Sequence, residues 1–288
     1  MPEKPSMVIF GAGKIGRSFI GQLFGNAGYR LTFIDVDKQL VQALNDRGGY
    51  RVVVRGDREE VMEIRNVEAV FGMDRKLVLQ AIDRADILAV SVGKNALEKT
   101  MPVLAGGLEY RGRQPGKAAL DIILAENMRS AADYCRAGLK KYLPEDYPLD
   151  SKVGLIETSI GKMVPIMTQK DIDEDPLQVF AEPYNTLILD AKGFKNAIPK
   201  VEGLAPKENI RAWVDRKAFV HNMGHAAVAY IGNYRHPTVR YLFQAMEDKM
   251  VRQFARSAML QSADILVHRY PGDFTVKMLT EHIDDLLE

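Results

Sequence analysis

Residues 11–16 read Gly11-Ala12-Gly13-Lys14-Ile15-Gly16, which matches the pattern G-x-G-x-x-G. An apolar run at residues 7–10 precedes it, and apolar side chains recur at helical spacing over residues 15–23. In a strand, turn and helix of this kind, the first glycine permits a tight turn, the second lets backbone amides approach a pyrophosphate, and the third allows close helix packing. We therefore predict that residues 11–16 bind the pyrophosphate of a dinucleotide. The alternative is that these glycines only form a turn.

Asp35 directly follows the second apolar run, residues 31–34. It lies about 20 residues after the glycine-rich turn, the distance expected in a dinucleotide-binding unit. A carboxylate at this point accepts hydrogen bonds from the adenosine ribose hydroxyls and repels a 2′-phosphate. We therefore predict NAD, rather than NADP, as the cofactor. Asp37 is an alternative candidate for the ribose contact, and helix capping is the alternative role for Asp35.

Two further apolar runs, residues 87–92 and 118–124, are typical of parallel strands that are covered on both faces. Gly93 and Asn95 follow the first of them, where a doubly wound sheet presents its loops to the nicotinamide half of a dinucleotide. We predict that both residues contact the cofactor, with an ordinary Gly-Asn turn as the alternative.

The order of these elements predicts an α/β protein. We expect a Rossmann-type doubly wound sheet in residues 1–195, followed by a mainly α-helical domain in residues 196–288. Within the first domain, the alternating residues 51–54 and 61–64 predict an inserted β-hairpin. Residues 171–176 predict an acidic loop.

The composition excludes several classes of partner. Lysine and arginine total 39 against 38 aspartate and glutamate residues, so no overall charge attracts nucleic acid or an anionic membrane. No apolar stretch approaches the roughly 20 residues of a membrane-spanning helix, and no secretory leader opens the chain. A single cysteine, Cys135, excludes an intramolecular disulfide. We predict a soluble, cytoplasmic protein with a small-molecule substrate, and no pattern defines its oligomeric state.

Residues 212–231 predict one helix that carries Lys217, Asn222 and His225 within an arc of about 140°. Oxidation of an alcohol needs a base for the hydroxyl proton and donors that stabilise the alkoxide. A lysine that is partly removed from water has a lowered pKa and can serve as that base, with Asn222 as donor and His225 orienting the hydroxyl. Spacing alone favours a plainer interpretation, in which these are a surface lysine, a locally bonded asparagine and a core histidine.

Other polar residues in this part of the chain are weaker candidates. His221 and His225 are four residues apart but lack the glutamate of H-E-x-x-H, so we predict no metal site. His221 is expected either on the helix surface or behind the residues that contact the substrate. The cluster of Arg235, His236 and Arg240 fits either a clamp for a sugar phosphate or a solvated helix entry.

Residues 217–225 resemble the K-x4-N-x2-H signature of the polyol-specific long-chain dehydrogenases, the mannitol dehydrogenase family. Residues 10–17, 92–95, 125–128 and 164–165 also resemble segments of this family, in the same order along the chain. The similarity is greatest to its mannitol-1-phosphate 5-dehydrogenase branch.

The resemblance implies an NAD-dependent polyol dehydrogenase, with mannitol 1-phosphate and fructose 6-phosphate as the expected pair. It implies that Lys217 is the general base, that Asn222 and Asn127 line the oxyanion site, and that His225 binds a substrate hydroxyl. The alternatives are mannitol 2-dehydrogenase and a reductase of hexuronates such as tagaturonate or fructuronate. From another class, the alternative is a non-catalytic, NAD-binding regulatory protein.

The chain departs from the family at two places. Gly161 and Lys162 stand where members usually have an acidic residue and an arginine before the valine-proline pair. Members also continue beyond the position of Glu288 into a segment that bears arginine and lysine. We therefore expect either a short variant or a helical domain that lacks this segment, with weak substrate affinity in the second case.

Overall fold

A computed structural model describes residues 4–288 and divides the chain into two compact units, Met1–Glu208 and Asn209–Glu288. The boundary falls later than the division that we predict after residue 195. The strand that ends at Lys207 pairs with the strand that ends at Asp190, and this pairing keeps the residues between them in the first unit.

The first unit alternates strands and helices along the chain. Its strands are β1 (Ser6–Phe10), β2 (Arg30–Asp35), β3 (Gly49–Arg55), β4 (Glu59–Arg65), β5 (Val67–Phe71), β6 (Ile87–Val90), β7 (Leu120–Leu124), β8 (Val153–Ser159), β9 (Val179–Ala181), β10 (Leu187–Asp190) and β11 (Leu204–Lys207). Its helices are a π-helical segment π1 (Gly16–Gly21), α1 (Gln22–Asn26), α2 (Lys38–Arg47), α3 (Arg75–Arg84), α4 (Lys94–Gly112), α5 (Ala131–Lys140), α6 (Leu149–Lys152) and α7 (Gln169–Glu174).

The large sheet has the order β11-β10-β8-β7-β6-β1-β2-β5, and its neighbours are parallel except for β8 and β10. With the β3–β4 hairpin counted as an insertion, the strands from β5 to β8 have the 3-2-1-4-5-6 order of a dinucleotide-binding sheet. The predicted Rossmann-type fold is therefore confirmed. The strand order reverses between β1 and β6, and ligands bind at this switch point in such sheets.

Alternate residues of β1 explain why this sheet is covered on both faces. Met7 and Ile9 lie in one hydrophobic core, whereas Val8 and Phe10 lie in the other. Successive side chains of a strand point to opposite faces, so a run with no polar residue requires helices on both sides.

The inserted hairpin is also confirmed, because β3 and β4 pair in antiparallel register. The strand β9 pairs with β3 and completes a separate three-stranded sheet. The prediction of an acidic loop at residues 171–176 is wrong, because α7 occupies most of this segment. Thr168 and Asp171 form a capping box that starts this helix.

The second unit is helical, as predicted. It contains α8 (Ile210–Arg216), a π-helical segment π2 (Lys217–Asn222), α9 (Met223–Arg235), α10 (Leu242–Met246), α11 (Lys249–Arg269) and α12 (Val276–Leu287). The Tyr270 hydroxyl donates to Asp215 Oδ2 at 2.6 Å and ties α8 to the end of α11. Within residues 4–288, no helix has the length and apolar character needed to cross a bilayer.

Candidate functional site

The glycine-rich turn between β1 and π1 has three glycines with three different environments. Gly11 has φ +94°, and an added Cβ would lie 2.3 Å from the Ser91 carbonyl oxygen. A Cβ on Gly16 would lie 2.0 Å from the Gly11 carbonyl oxygen, whereas a Cβ on Gly13 would have no neighbour within 4 Å. Gly11 and Gly16 are therefore required for close packing, and Gly13 borders open space. This arrangement fits a phosphate group that approaches the backbone at Gly13.

Side chains of the turn either hold it or face away from the core. Ala12 is buried, Ile15 is half-buried and Lys14 is exposed. Arg17 is buried, and it donates from Nε to the Ala12 carbonyl at 2.7 Å and from Nη1 to the Leu177 carbonyl at 2.6 Å. Burial lowers the pKa of Arg17. Arg17 thus fixes the turn to the rest of the unit, a role that its place in the motif does not reveal.

Asp35 lies beside the glycine-rich turn, at the end of β2. Its Oδ2 accepts a hydrogen bond from the Ala12 amide at 2.7 Å, and its Oδ1 accepts one from the Asp37 amide at 3.0 Å. Asp37 instead caps α2, because its Oδ1 accepts from the amides of Gln39 and Leu40. Of the two carboxylates, Asp35 is therefore the one held against the turn.

The loop after β6 lies on the other side of the switch point. Gly93 has φ +80° and begins α4, and Asn95 is exposed in the first turn of that helix. The buried Glu126 accepts hydrogen bonds at Oε1 from the amides of Val92 and Gly93, at 2.8 and 2.9 Å. Burial raises the pKa of Glu126, and these two amide bonds oppose the rise. Asn127, the next residue, is exposed beyond the end of β7.

Glu126 is not among the site residues that the sequence predicts, and its hydrogen bonds hold the loop of Gly93. Replacing Glu126 with Leu should remove the acceptor for two amides and destabilise the loop by about 1–3 kcal/mol. Replacing Glu126 with Gln retains an amide oxygen as acceptor and should cost less. Chemical denaturation and NADH titration of both variants check this. Equal stability and equal affinity in the two variants would show that the hydrogen bonds of Glu126 do not shape the loop.

In the helical unit, Lys217 and Asn222 are the two ends of π2. A π-helix joins residues five apart by i→i+5 hydrogen bonds, and its wider turn brings such residues closer to one side than α-helical spacing does. The helix expected at residues 212–231 is therefore continuous but not α-helical throughout. Lys217 is half-buried, whereas Asn222 and His225 are exposed. Single π-helical turns inside α-helices occur often at functional sites.

Lys217 is partly removed from water, and the His221 imidazole is near enough to interact with it electrostatically. Burial lowers the pKa of Lys217. The His221 ring lies 5.0 Å from the His225 ring and 6.4 Å from the His282 ring, measured between centroids. Burial is the main cause that lowers the pKa of His221 and of His282 to about 4. His221 and His282 are therefore uncharged at neutral pH. His282 lies on α12, far along the chain from His221. No sequence pattern therefore indicates that the two rings are neighbours.

Lys162 is buried, and it donates to Gln22 Oε1 at 3.2 Å and Asn185 Oδ1 at 3.0 Å, so its ammonium is used within the first unit. Arg235 Nε and His236 Nε2 each lie 2.7 Å from Asp248 Oδ2, so this carboxylate already takes up part of the basic cluster. Within the described residues, no group of three or more His, Cys, Asp or Glu side chains is arranged to hold a metal ion.

Comparisons with solved structures agree with this fold. An octopine dehydrogenase in complex with NADH and agmatine matches with a TM-score of 0.56 at 11% identity, covering 98% of this chain and 67% of that chain. A second octopine dehydrogenase structure, with NADH and L-arginine, matches with a TM-score of 0.55 at 12% identity, with the same coverage. At this identity the similarity concerns the fold alone.

A sequence model for the Rossmann domain of mannitol dehydrogenases matches residues 5–203, more than half of the chain. The match spans the glycine-rich turn, Asp35 and the Gly93 loop. On the glycine geometry, the strand order and this match, the chain belongs to the mannitol dehydrogenase family.

Proposed function

We propose that this protein is an NAD-dependent oxidoreductase that interconverts a polyol and a ketose, with Lys217 as the general base. The observation that carries the proposal is the half-buried Lys217 at the start of π2, with Asn222 and His225 on the same helix. The octopine dehydrogenase structures that share the fold hold NADH, which supports a nicotinamide cofactor here as well.

The first unit supplies the groups for cofactor binding. The position of an added Cβ at Gly13 is open space just before π1, where the helix dipole favours a phosphate. We assign the adenosine ribose to Asp35, whose carboxylate can accept hydrogen bonds from the ribose hydroxyls, and the nicotinamide half to the loop of Gly93 and Asn95 beside the switch point. Bound NAD would supply the hydride-accepting chemistry of the reaction.

The second unit supplies the acid-base groups. Neutral Lys217 takes the proton of the substrate hydroxyl at Nζ during oxidation and returns it during reduction. Asn222 Nδ2 is a donor for the developing alkoxide, and the family resemblance implies the same role for Asn127. His225 is exposed and orients a second hydroxyl. Because His221 and His282 remain neutral, they add no positive charge that repels a protonated Lys217 at physiological pH.

Asp35 should decide the choice between NADH and NADPH. Replacing Asp35 with Ser removes a charge-assisted acceptor worth about 1.5–3 kcal/mol, so the preference for NADH should fall by at least about tenfold. Replacing Asp37 with Ser is the matched control, because serine still caps α2 and Asp35 remains in place. Fluorescence titration with both dinucleotides measures the effect. A loss of preference in the Asp37 variant alone would assign the ribose contact to Asp37.

The lowered pKa of Lys217 predicts a pH profile. Oxidation requires neutral Lys217, so kcat/KM for the polyol should rise with pH, with a midpoint below the ordinary lysine pKa of 10.5. Reduction requires protonated Lys217, so kcat/KM for the ketose should fall as the pH rises over the same range. Arginine stays protonated, so Lys217→Arg should lose oxidation at every pH. An unchanged profile in Lys217→Arg would assign the ionisation to another group.

The substrate can be identified by measuring the reduction of three ketoses. We assign fructose 6-phosphate as the ketose on the family resemblance, and fructose and tagaturonate are the competitors. The three are compared by their kcat/KM values with NADH. A clear preference for fructose or tagaturonate would keep the reaction class and change the substrate.

A further inference from the structure

A second concave site lies at the opposite edge of the large sheet from the glycine-rich turn. It is a cavity of about 260 Å³ that is bordered by the end of α4, the start of β7 and the segment that leads into β8. The glycine-rich turn and the Gly93 loop follow the carboxyl ends of β1 and β6, whereas this cavity lies where β7 and β8 begin. A five-residue strand separates the two edges by roughly 17 Å. The cavity is therefore distinct from the cofactor site.

Three cationic side chains line this cavity: Arg111, Lys117 and Lys152. Arg111 Nη1 donates to the Asp83 carbonyl oxygen at 2.5 Å, and Lys117 Nζ donates to the same oxygen at 2.7 Å. The two cations are thus adjacent. Lys152 Nζ has a long contact of 3.5 Å to the Lys117 carbonyl oxygen. The residues that line the cavity include no carboxylate, and Asp83 pairs with Lys117 at 3.2 Å from outside it.

Arg111 provides a second and independent observation. Its side chain is more than nine-tenths buried, and its Nε has no hydrogen-bond partner. A buried polar group without a partner costs about 1–3 kcal/mol, and more when it is charged, so Arg111 keeps an unused donor beside the cavity that it lines. Burial lowers the pKa of Arg111, which is the electrostatic sign of a cation held away from water.

We propose that this cavity binds the phosphate group of a small molecule. Guanidinium and ammonium groups together suit a dianionic phosphate, because arginine supplies forked donors and lysine supplies a mobile point charge. Tyr147 and Gln114 line the same cavity and supply a hydroxyl and an amide beside the cations. The volume leaves room for a small organic part attached to the phosphate, and this part would contact Tyr147.

Isothermal titration calorimetry tests this site at low ionic strength, with inorganic phosphate, glycerol 3-phosphate and citrate as probes. The Gly13→Val background keeps the probes away from the glycine-rich turn, so the test does not depend on the proposed reaction. We expect saturable binding of both phosphate probes, at least tenfold weaker in Lys117→Ala/Lys152→Ala. The matched control is Lys76→Ala/Lys99→Ala, which removes the same charge from exposed positions on α3 and α4 and should bind as the background does.

Each result decides the proposal. If glycerol 3-phosphate binds more tightly than inorganic phosphate, the cavity is a phosphomonoester site. If the two probes bind with equal affinity, the cavity is a site for free phosphate. Citrate bound more tightly than either would overturn the phosphate assignment in favour of a carboxylate. Absent binding, or equal binding in the two double variants, would overturn the site. If the Lys117 variant unfolds, Lys152→Glu replaces it, because Lys152 is exposed and makes only the long contact.

Discussion

Replacing Lys217 with Met should lower turnover of polyol and ketose by about 10²- to 10⁴-fold, the range that general acid-base catalysis contributes. Methionine is unbranched and flexible, like the lysine stem, so π2 should persist. Burial lowers the pKa of Lys217, so the native side chain is more readily neutral than an exposed lysine. NADH affinity should stay within about twofold of the wild type, because the glycine-rich turn is untouched.

Lys249→Met is the matched control for this variant. Lys249 is an exposed lysine of the same unit, at the first position of α11. Steady-state kinetics and NADH titration of both variants separate catalysis from binding. Wild-type turnover in Lys217→Met would remove Lys217 as the base. A parallel loss of NADH affinity would point instead to a structural role.

Replacing Gly13 with Val should weaken NADH binding by about 100-fold, or about 2.7 kcal/mol, while the free energy of unfolding changes by less than about 0.5 kcal/mol. A Cβ at Gly13 meets no protein atom within 4 Å, so the added methyl groups would occupy the space that we assign to the pyrophosphate. Gly11→Ala should behave in the opposite way. Its Cβ would lie 2.3 Å from a backbone oxygen, so it should lower stability before it affects binding.

Gly272→Val controls for the general effect of valine at an open glycine. Gly272 also has no neighbour within 4 Å of an added Cβ, and it lies in the helical unit. NADH titration and chemical denaturation are measured on all three variants. Wild-type NADH affinity in Gly13→Val would place the pyrophosphate away from this turn.

The sequence predicts the parts of this fold that local pattern determines. Buried parallel strands are continuous apolar runs, and a glycine pattern between a strand and a helix has few other uses, so the doubly wound sheet follows from residues 7–35 and the later runs. The hairpin of β3 and β4 follows from alternation and a turn. Thr168 and Asp171 have the spacing of a capping box, but the acidic composition of residues 171–176 favours a loop when the sequence is considered alone.

Long-range pairing explains what the sequence does not reveal. The short strand β9 joins β3 across more than a hundred residues, and β11 extends the sheet beyond the expected boundary. Periodicity at 3.6 residues cannot indicate a π-helical turn, so the geometry of Lys217 and Asn222 differs from the α-helical expectation. Glu126 and His282 gain their roles only through contacts with residues that are distant in the chain.

The most direct test of the proposed reaction is to add fructose 6-phosphate to the protein with NADH and to follow the loss of NADH absorbance together with the polyol formed. We predict stoichiometric oxidation of NADH and formation of mannitol 1-phosphate, with much slower turnover when NADPH replaces NADH. If the protein binds NADH but oxidises none of it with fructose 6-phosphate, fructose or tagaturonate, the assignment as a polyol dehydrogenase is contradicted.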